Sequence, residues 1–275
     1  MVKRALDAGR SKRGYLLILI VVILVGVPFL LVTNGGRRIK RFHPPPPPGD
    51  ILWMADQETG NLDQWTDGQF GDAVFNTGTG EIAISHDVAH SGSASLKMTI
   101  TDASGTTQAA RILRWHDNPV EGYYSVWLDF PRNYQPAAWW NVFQFKSLSA
   151  ESDPTWVLNI GNRTDGSMFF YLWDAITRTS YAPLNHLNVK PNRWTQVTAY
   201  LRRATDNSGR ITIWQDGVLL FNVEHVQTAL ADNVHWGIGN YTDDISPSDP
   251  VIYADDAEIR DVKRPDDRPG SRIQR

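Results

Sequence analysis

The sequence predicts an all-β domain, a two-sheet antiparallel sandwich of jelly-roll type, preceded by a single N-terminal transmembrane helix. Three observations predict it. Apolar and polar residues alternate with period 2 in many short runs, and no amphipathic stretch of three helical turns interrupts them. Turn-forming clusters separate the runs: Arg163-Thr164-Asp165-Gly166, Thr205-Asp206-Asn207-Ser208-Gly209 and Gln215-Asp216-Gly217. Near the start, Tyr15 to Val32 is 18 residues without a charge, about the length that crosses a bilayer.

In chain order, residues 1–14 form a basic tail and 15–32 the transmembrane helix. Lys3, Arg4, Arg10, Lys12 and Arg13 precede the apolar run; Arg37, Arg38, Lys40 and Arg41 follow it. The larger count on the N-terminal side favours a cytoplasmic N-terminus, with the rest of the chain extracytoplasmic at the cell membrane. The apolar run is longer than that of a cleaved signal peptide and ends without a small-residue cleavage pattern, which favours an uncleaved anchor. Residues 33–49 form a basic, proline-rich linker. Its Pro44–Pro48 run predicts an extended spacer of about 3.1 Å per residue. The jelly-roll domain occupies 50–262, a length that suits one large β domain. Residues 263–275 (KRPDDRPGSRIQR) predict a disordered tail.

Within the domain, strands are predicted at 95–101, 109–115, 122–130, 141–147, 156–160, 168–173, 194–201, 209–215, 218–223, 235–241 and 251–260. Asp216-Gly217 between two apolar runs predicts a two-residue hairpin. The chain has no cysteine, so an exported domain must rely on its core, and on a bound ion if there is one. The nine cations flanking the apolar run leave the domain clearly acidic although the whole chain carries only −3. That argues against a nucleic-acid partner, because phosphate binding needs a basic face.

Ten of the 11 tryptophans fall between Trp53 and Trp214, and the last, Trp236, opens a strand. Several stand among amides and charges, as in Trp139-Trp140-Asn141-Val142-Phe143-Gln144-Phe145-Lys146. A tryptophan is most often a large core residue. As a group bordered by amides and carboxylates, these suit a polysaccharide groove, in which rings stack on sugar C–H faces while hydroxyls take hydrogen bonds. The histidines show no spacing that suggests zinc, and of His86, His90, His116, His186, His225 and His235 only His116 is singled out for testing as a base. No G-x-S-x-G elbow is present.

The order of several short segments carries a resemblance. They are Glu58-Thr59-Gly60-Asn61-Leu62-Asp63-Gln64-Trp65, His90-Ser91-Gly92, Gly122-Tyr123-Tyr124-Ser125-Val126-Trp127, Gln144-Phe145-Lys146, Asp216-Gly217, Gly239-Asn240-Tyr241 and Tyr253-Ala254-Asp255-Asp256. Together they resemble the concanavalin A-like jelly rolls of the heparin lyase I and glucuronan/alginate lyase type, over nearly all of residues 50–262. Related lyases carry Gln-x-His on the strand that here reads Gln144-Phe145-Lys146, so Lys146 stands where that pattern has His.

The resemblance implies a β-eliminating site with Lys146 or Tyr241 as base or acid. It implies a substrate-binding set of Gln144, Arg111, Asn159, Tyr171, Trp173 and Asn240. Period 2 puts Gln144 and Lys146 on one face, Tyr171 and Trp173 on one face, and Arg111 and Arg114 on opposite faces. In many such sandwiches an acid near the first strand and one in the last meet at a structural calcium; the counterparts here are Glu58 and Asp255, or its neighbour Asp256, hard oxygen ligands that suit the ion. The expected function is a membrane-anchored extracytoplasmic polysaccharide-binding domain, either a β-eliminating lyase or a non-catalytic lectin-like or adhesion module. The departure from Gln-x-His and the acidic domain favour the second; the Gln-Phe-Lys strand and the Asp-Gly hairpin favour the first.

Overall fold

The computed structural model describes residues 49–66, 73–116, 118–147 and 153–262. The predicted basic tail, transmembrane helix, most of the linker and the C-terminal tail lie outside the described residues. The strands in chain order are β1 (Ile51–Ala55), β2 (Val74–Thr77), β3 (Gly80–Ser85), β4 (Ser95–Ile100), β5 (Gln108–Arg114), β6 (Glu121–Asp129), β7 (Gln135–Pro136) and β8 (Trp140–Ser147). They continue with β9 (Asp153–Asn162), β10 (Met168–Asp174), β11 (Thr179–Tyr181), β12 (Thr195–Arg202), β13 (Gly209–Gln215), β14 (Val218–Val226), β15 (His235–Thr242), β16 (Ile245–Ser246) and β17 (Val251–Asp261). No α-helix occurs among the described residues.

Two large antiparallel sheets form. One has the order β14-β13-β12-β6-β17-β4-β3, with β1 also paired to β17; the other has the order β11-β10-β9-β8-β15-β5-β2. A third, two-stranded ribbon pairs β16 with β7. The predicted all-β two-sheet sandwich is therefore the observed one. Alternation dictates the packing: β10 reads buried at Met168, Phe170, Leu172 and Asp174 and half-buried between them. The inner faces of β6, β12 and β13 (Tyr124, Val126, Leu128, Val197, Ala199, Leu201, Ile211, Ile213) share one core with those of β8, β9, β10 and β15 (Phe143, Phe145, Trp156, Leu158, Phe170, Leu172, Trp236, Ile238). Trp236 is its centre, with ring centroids 6.0 Å from Trp53, 5.9 Å from Trp65, 5.5 Å from Tyr124 and 5.6 Å from Phe143. Four of the tryptophans (Trp65, Trp140, Trp156, Trp236) are fully buried, so for them the ordinary core reading holds.

The Asp-Gly hairpin joins β13 to β14 with both turn residues at positive φ, 49° at Asp216 and 76° at Gly217, as a mirror-image turn requires. The sequence reading missed β1, β2, β3, β7, β11 and β16. These are short or lie at sheet edges, where packing on one neighbour leaves little apolar periodicity. Two register breaks in the second sheet bear on function: β8 is bulged against β15 between Ile238 and Tyr241, and against β9 between Asn141 and Phe143. The bulge puts Val142 in the core and lets Asn141 share the outer face with Gln144, although the two are three residues apart.

Candidate active-site groove

The outer face of the seven-stranded sheet collects most of the residues singled out from sequence. On β15 the outward residues are His235, Gly237, Gly239 and Tyr241, because Trp236 and Ile238 are core. The pairing registers then place their neighbours. Lys146 lies opposite His235, Gln144 opposite Gly237, Arg111 opposite Gly239, and Asn141 opposite Tyr241. Asn159 continues the Tyr241–Asn141 row, and Tyr171 continues it onto β10; Trp173 and Val157 continue the Gln144 row. Phe75 lies opposite Arg111 at the far edge. The face is a polar floor with aromatic rims.

At one end of the floor, Arg111 lies with its guanidinium carbon 4.4 Å from the Tyr241 ring centroid. Trp139 meets the same ring edge-on at 4.6 Å. Gly239 makes this possible: a Cβ there would come within 2.6 Å of Arg111 Cγ. Burial pushes the Arg111 guanidinium down from the ordinary arginine value, partly offset by Tyr241, and its Nε has no partner among the described residues. Arg114, on the opposite face as parity requires, sits over Trp53 at 5.6 Å.

The middle and other end hold an unsatisfied donor and an unsatisfied acceptor. Asn141 Nδ2 donates to Gln144 Oε1 at 3.2 Å, which turns the Gln144 amide nitrogen away from Asn141; that buried nitrogen has no partner among the described residues. His235 Nδ1 lies 2.6 Å from the Trp115 carbonyl. A carbonyl only accepts, so Nδ1 carries the proton and Nε2 of the neutral ring is an acceptor. That Nε2 is buried and unpartnered among the described residues. Burial lowers the His235 pKa against the opposing Trp115 hydrogen bond, and His116 and Lys146 lower it further. The ring is therefore neutral at neutral pH. Gln144 and His235 are diagonal neighbours on adjacent strands, about 7–8 Å apart, with Lys146 directly across from His235.

Of the residues expected in the site, Lys146, Gln144, Arg111, Asn159, Tyr171, Trp173 and Tyr241 share this face. Lys146 and Tyr241 do not meet, however. Lys146 lies five steps along β8 from Asn141, the partner of Tyr241, which is roughly 15 Å at the rise of a strand. Asn240 corrects the expectation. It is fully buried on the core side, accepts from Trp140 Nε1 at 2.8 Å and donates to the Met98 and Pro250 carbonyls at 3.2 and 2.7 Å. Strand alternation puts it opposite in facing to Tyr241, so it ties the two sheets together. His235 and Asn141 were missed. Parity with Tyr241 would have found His235, and the bulge that turns Asn141 outward has no signature in the sequence.

Glu58 and Asp255 do not fit a calcium site. Glu58 accepts from the backbone N–H of Ser93 and Ala94 and from Ser93 Oγ at 2.8–2.9 Å. Asp255 accepts from the N–H of His90, Ser91 and Asp256 at 2.8–3.2 Å. Their oxygens face the positive ends of N–H dipoles, which a cation would have to displace. No group of three or more His, Asp or Glu suited to a metal occurs among the described residues. The two carboxylates instead clamp the His90–Ala94 turn, Glu58 from beside β1 and Asp255 from β17. Burial pushes Asp255 up to about 6 against those three N–H donors.

Against known proteins, a family model described as polysaccharide lyase matches residues 57–258. The chain belongs to the polysaccharide lyase family. No curated protein matches the sequence significantly. Among solved structures, the chain is similar to an endo-β-1,4-glucuronan lyase from the fungus Trichoderma reesei. The identity is 18% and the TM-score 0.59, covering 78% of this chain and 96% of that one. It is also similar to an alginate lyase in complex with an alginate trisaccharide (14% identity, TM-score 0.50, 77% of this chain and 98% of that one). A marine alginate lyase from Aplysia kurodai gives 13% identity and a TM-score of 0.50, over 76% of this chain and 98% of that one. At these identities the structural likenesses establish the fold alone.

Proposed function

We propose that this member of the polysaccharide lyase family is a membrane-anchored, extracytoplasmic enzyme that cleaves uronate-containing chains by β-elimination on the outer face of the seven-stranded sheet. The observation that carries the reading is the pairing of one buried orphan donor, Gln144 Nε2, with one buried orphan acceptor, His235 Nε2, beside Lys146. Elimination needs both: a donor for the uronate carboxylate, and a base for the proton on the carbon α to it. Membership of the family supports the reaction class.

In this reading His235 Nε2 takes the α proton. The C–H electron pair becomes the double bond, and the bond from the β carbon to the glycosidic oxygen breaks. The departing oxygen takes a proton from the Lys146 ammonium, which lies across the strand pair from His235. Gln144 Nε2 donates to the carboxylate, where negative charge builds in the transition state. Tyr241, with Arg111 on its ring and Asn141 and Asn159 in its row, binds a neighbouring sugar rather than the reacting one, because it lies too far from His235 to share one residue. Trp139, Tyr171 and Trp173 offer faces for stacking. These same rings would serve a binding module without chemistry, and the assay separates the two.

The uncharged run Tyr15–Val32 and its flanking cations support the anchor and its orientation. The test is the ultraviolet absorbance of the unsaturated product when the full chain, in detergent, is mixed with a panel of uronate polysaccharides. A rise that disappears in His235→Ala and Lys146→Ala supports elimination. Binding without a rise favours the lectin-like module.

A further inference from the structure

We infer that the protein carries a second saccharide site, on the outer face of the sheet that holds β6, β12 and β17. There His90 and Trp194 wall a corner for a pyranose without a carboxylate, and Asp129 accepts from one of its hydroxyls. The ligand class is a neutral polysaccharide. This inference does not rest on the elimination groove, which lies on the opposite outer face of the sandwich, so both faces can be filled at once.

Val126 and Leu128 are core residues, so Trp127 and Asp129 point outward from β6. Thr195, the first residue of β12, pairs with Leu128, and Val197 is core; Trp194 therefore emerges beside Asp129 with outward parity. The His90–Ala94 turn folds over this row. The His90 ring stacks on Trp127 at 3.8 Å, with 15° between planes, and meets Trp194 at 5.8 Å and 75°. Two near-perpendicular walls result, both half-buried. No aromatic ring among the described residues lies flat on Trp194. His90 is fixed in place: its Nδ1 lies 2.6 Å from Asp256 Oδ2, and Asp256 holds it from left-handed backbone at φ 46°, a conformation uncommon outside glycine.

Asp129 is 5% exposed, and its Oδ1 is buried without a partner among the described residues. Burial pushes its pKa up, against the N–H groups of Arg193 and Phe130 that it accepts from. A buried carboxylate oxygen lacking a donor is costly, and a sugar hydroxyl supplies that donor while the C–H face of the ring lies on the indole. The charges around the corner select against a uronate. Asp129, Asp256 and Asp87 face only Lys97, which Asp87 already binds at 2.6 Å, and the exposed Arg193. The groove on the other sheet instead presents Arg111 and Lys146. A protein with both sites holds a neutral matrix glycan on one face and works on a uronate chain with the other.

The test is calorimetric titration of the full chain, in a detergent without a sugar head group, with cellohexaose, xylohexaose and mannohexaose. Wild type is compared with Trp194→Ala, Asp129→Asn and the groove variant Trp173→Ala, with melting curves as the check on folding. Wild type should bind at least one neutral hexasaccharide. Trp194→Ala and Asp129→Asn should each weaken it about tenfold, and Trp173→Ala should leave it unchanged. Saturating glucuronan oligosaccharide should not displace it, a result read on wild type alone. No binding of any neutral hexasaccharide, equal affinity in Trp194→Ala and Asp129→Asn, or displacement by the glucuronan oligosaccharide overturns the inference. None of these outcomes touches the elimination reading, which stands or falls on unsaturated product.

Discussion

His235 is held in one tautomer by a single backbone carbonyl, and the pH behaviour of the protein follows from that. Its folded pKa lies below 6.5, through burial first and the nearby His116 and Lys146 charges after. If Nε2 is the base, kcat/KM rises with pH through an apparent pKa below 6.5, stays level above it, and falls again only where the Lys146 ammonium loses the proton it must give. Stability carries the same sign. The unfolded chain binds this proton more readily, so the contribution of the neutral ring is complete above 6.5 and is lost as pH falls through the folded value. A pH–rate profile and a denaturation series of wild type against His235→Gln check both, and the variant should lose the acid limb of each. His235→Ala should lower kcat by about 10²–10⁴-fold while leaving substrate affinity within severalfold, as single-turnover kinetics and binding would show. Much of this site was legible residue by residue: Gln144 with Lys146, Tyr171 with Trp173, and Arg111 apart from Arg114 all follow from parity along a strand. His235 was equally available by parity with Tyr241, but among the histidines only His116 was singled out as a base.

Strand β15 has opposite tasks on its two faces, and substitutions there should separate them. Outward, Gly239 leaves room for Arg111 to cross to Tyr241. Gly239→Val should push the guanidinium off the ring and raise KM with little change in kcat, because Tyr241 binds a sugar that does not react. Inward, Asn240 holds Trp140, Met98 and Pro250. Asn240→Ala strands a buried indole N–H and two carbonyls, each worth about 1–3 kcal/mol if left unsatisfied. A loss of about 3 kcal/mol in urea unfolding is expected, with kcat unchanged in the folded fraction. Alternation within β15 could have assigned these two roles from sequence, since Asn240 and Tyr241 are neighbours and must face oppositely. The outward turn of Asn141 could not be read, because it depends on the bulge in β8, which only the pairing of three strands reveals.

At the scale of the molecule, two acidic side chains, Glu58 just after β1 and Asp255 on β17, hold the His90–Ala94 turn through hydrogen bonds. Calcium at a hundred times its Kd would add about 2.7 kcal/mol, a shift of roughly 5–10 °C in Tm for a domain this size. The hydrogen-bonded clamp of Glu58 and Asp255 predicts instead the same Tm in calcium and in chelator, by calorimetry. The sandwich as a whole was legible because its central strands alternate cleanly and its hairpin turn is spelled Asp216-Gly217; the edge strands and the small β7–β16 ribbon were not, because they bury too little to leave a pattern. The anchor, read from Tyr15–Val32, predicts that the full chain sediments with membranes and that a chain lacking residues 1–48 does not. The central claim is chemical, and one measurement reaches it most directly: ultraviolet absorbance during incubation of wild type and His235→Ala with hyaluronan and glucuronan. The account predicts a steady rise for wild type on at least one polymer and a flat trace for the variant, which still binds. A rise of equal rate in both proteins would contradict it.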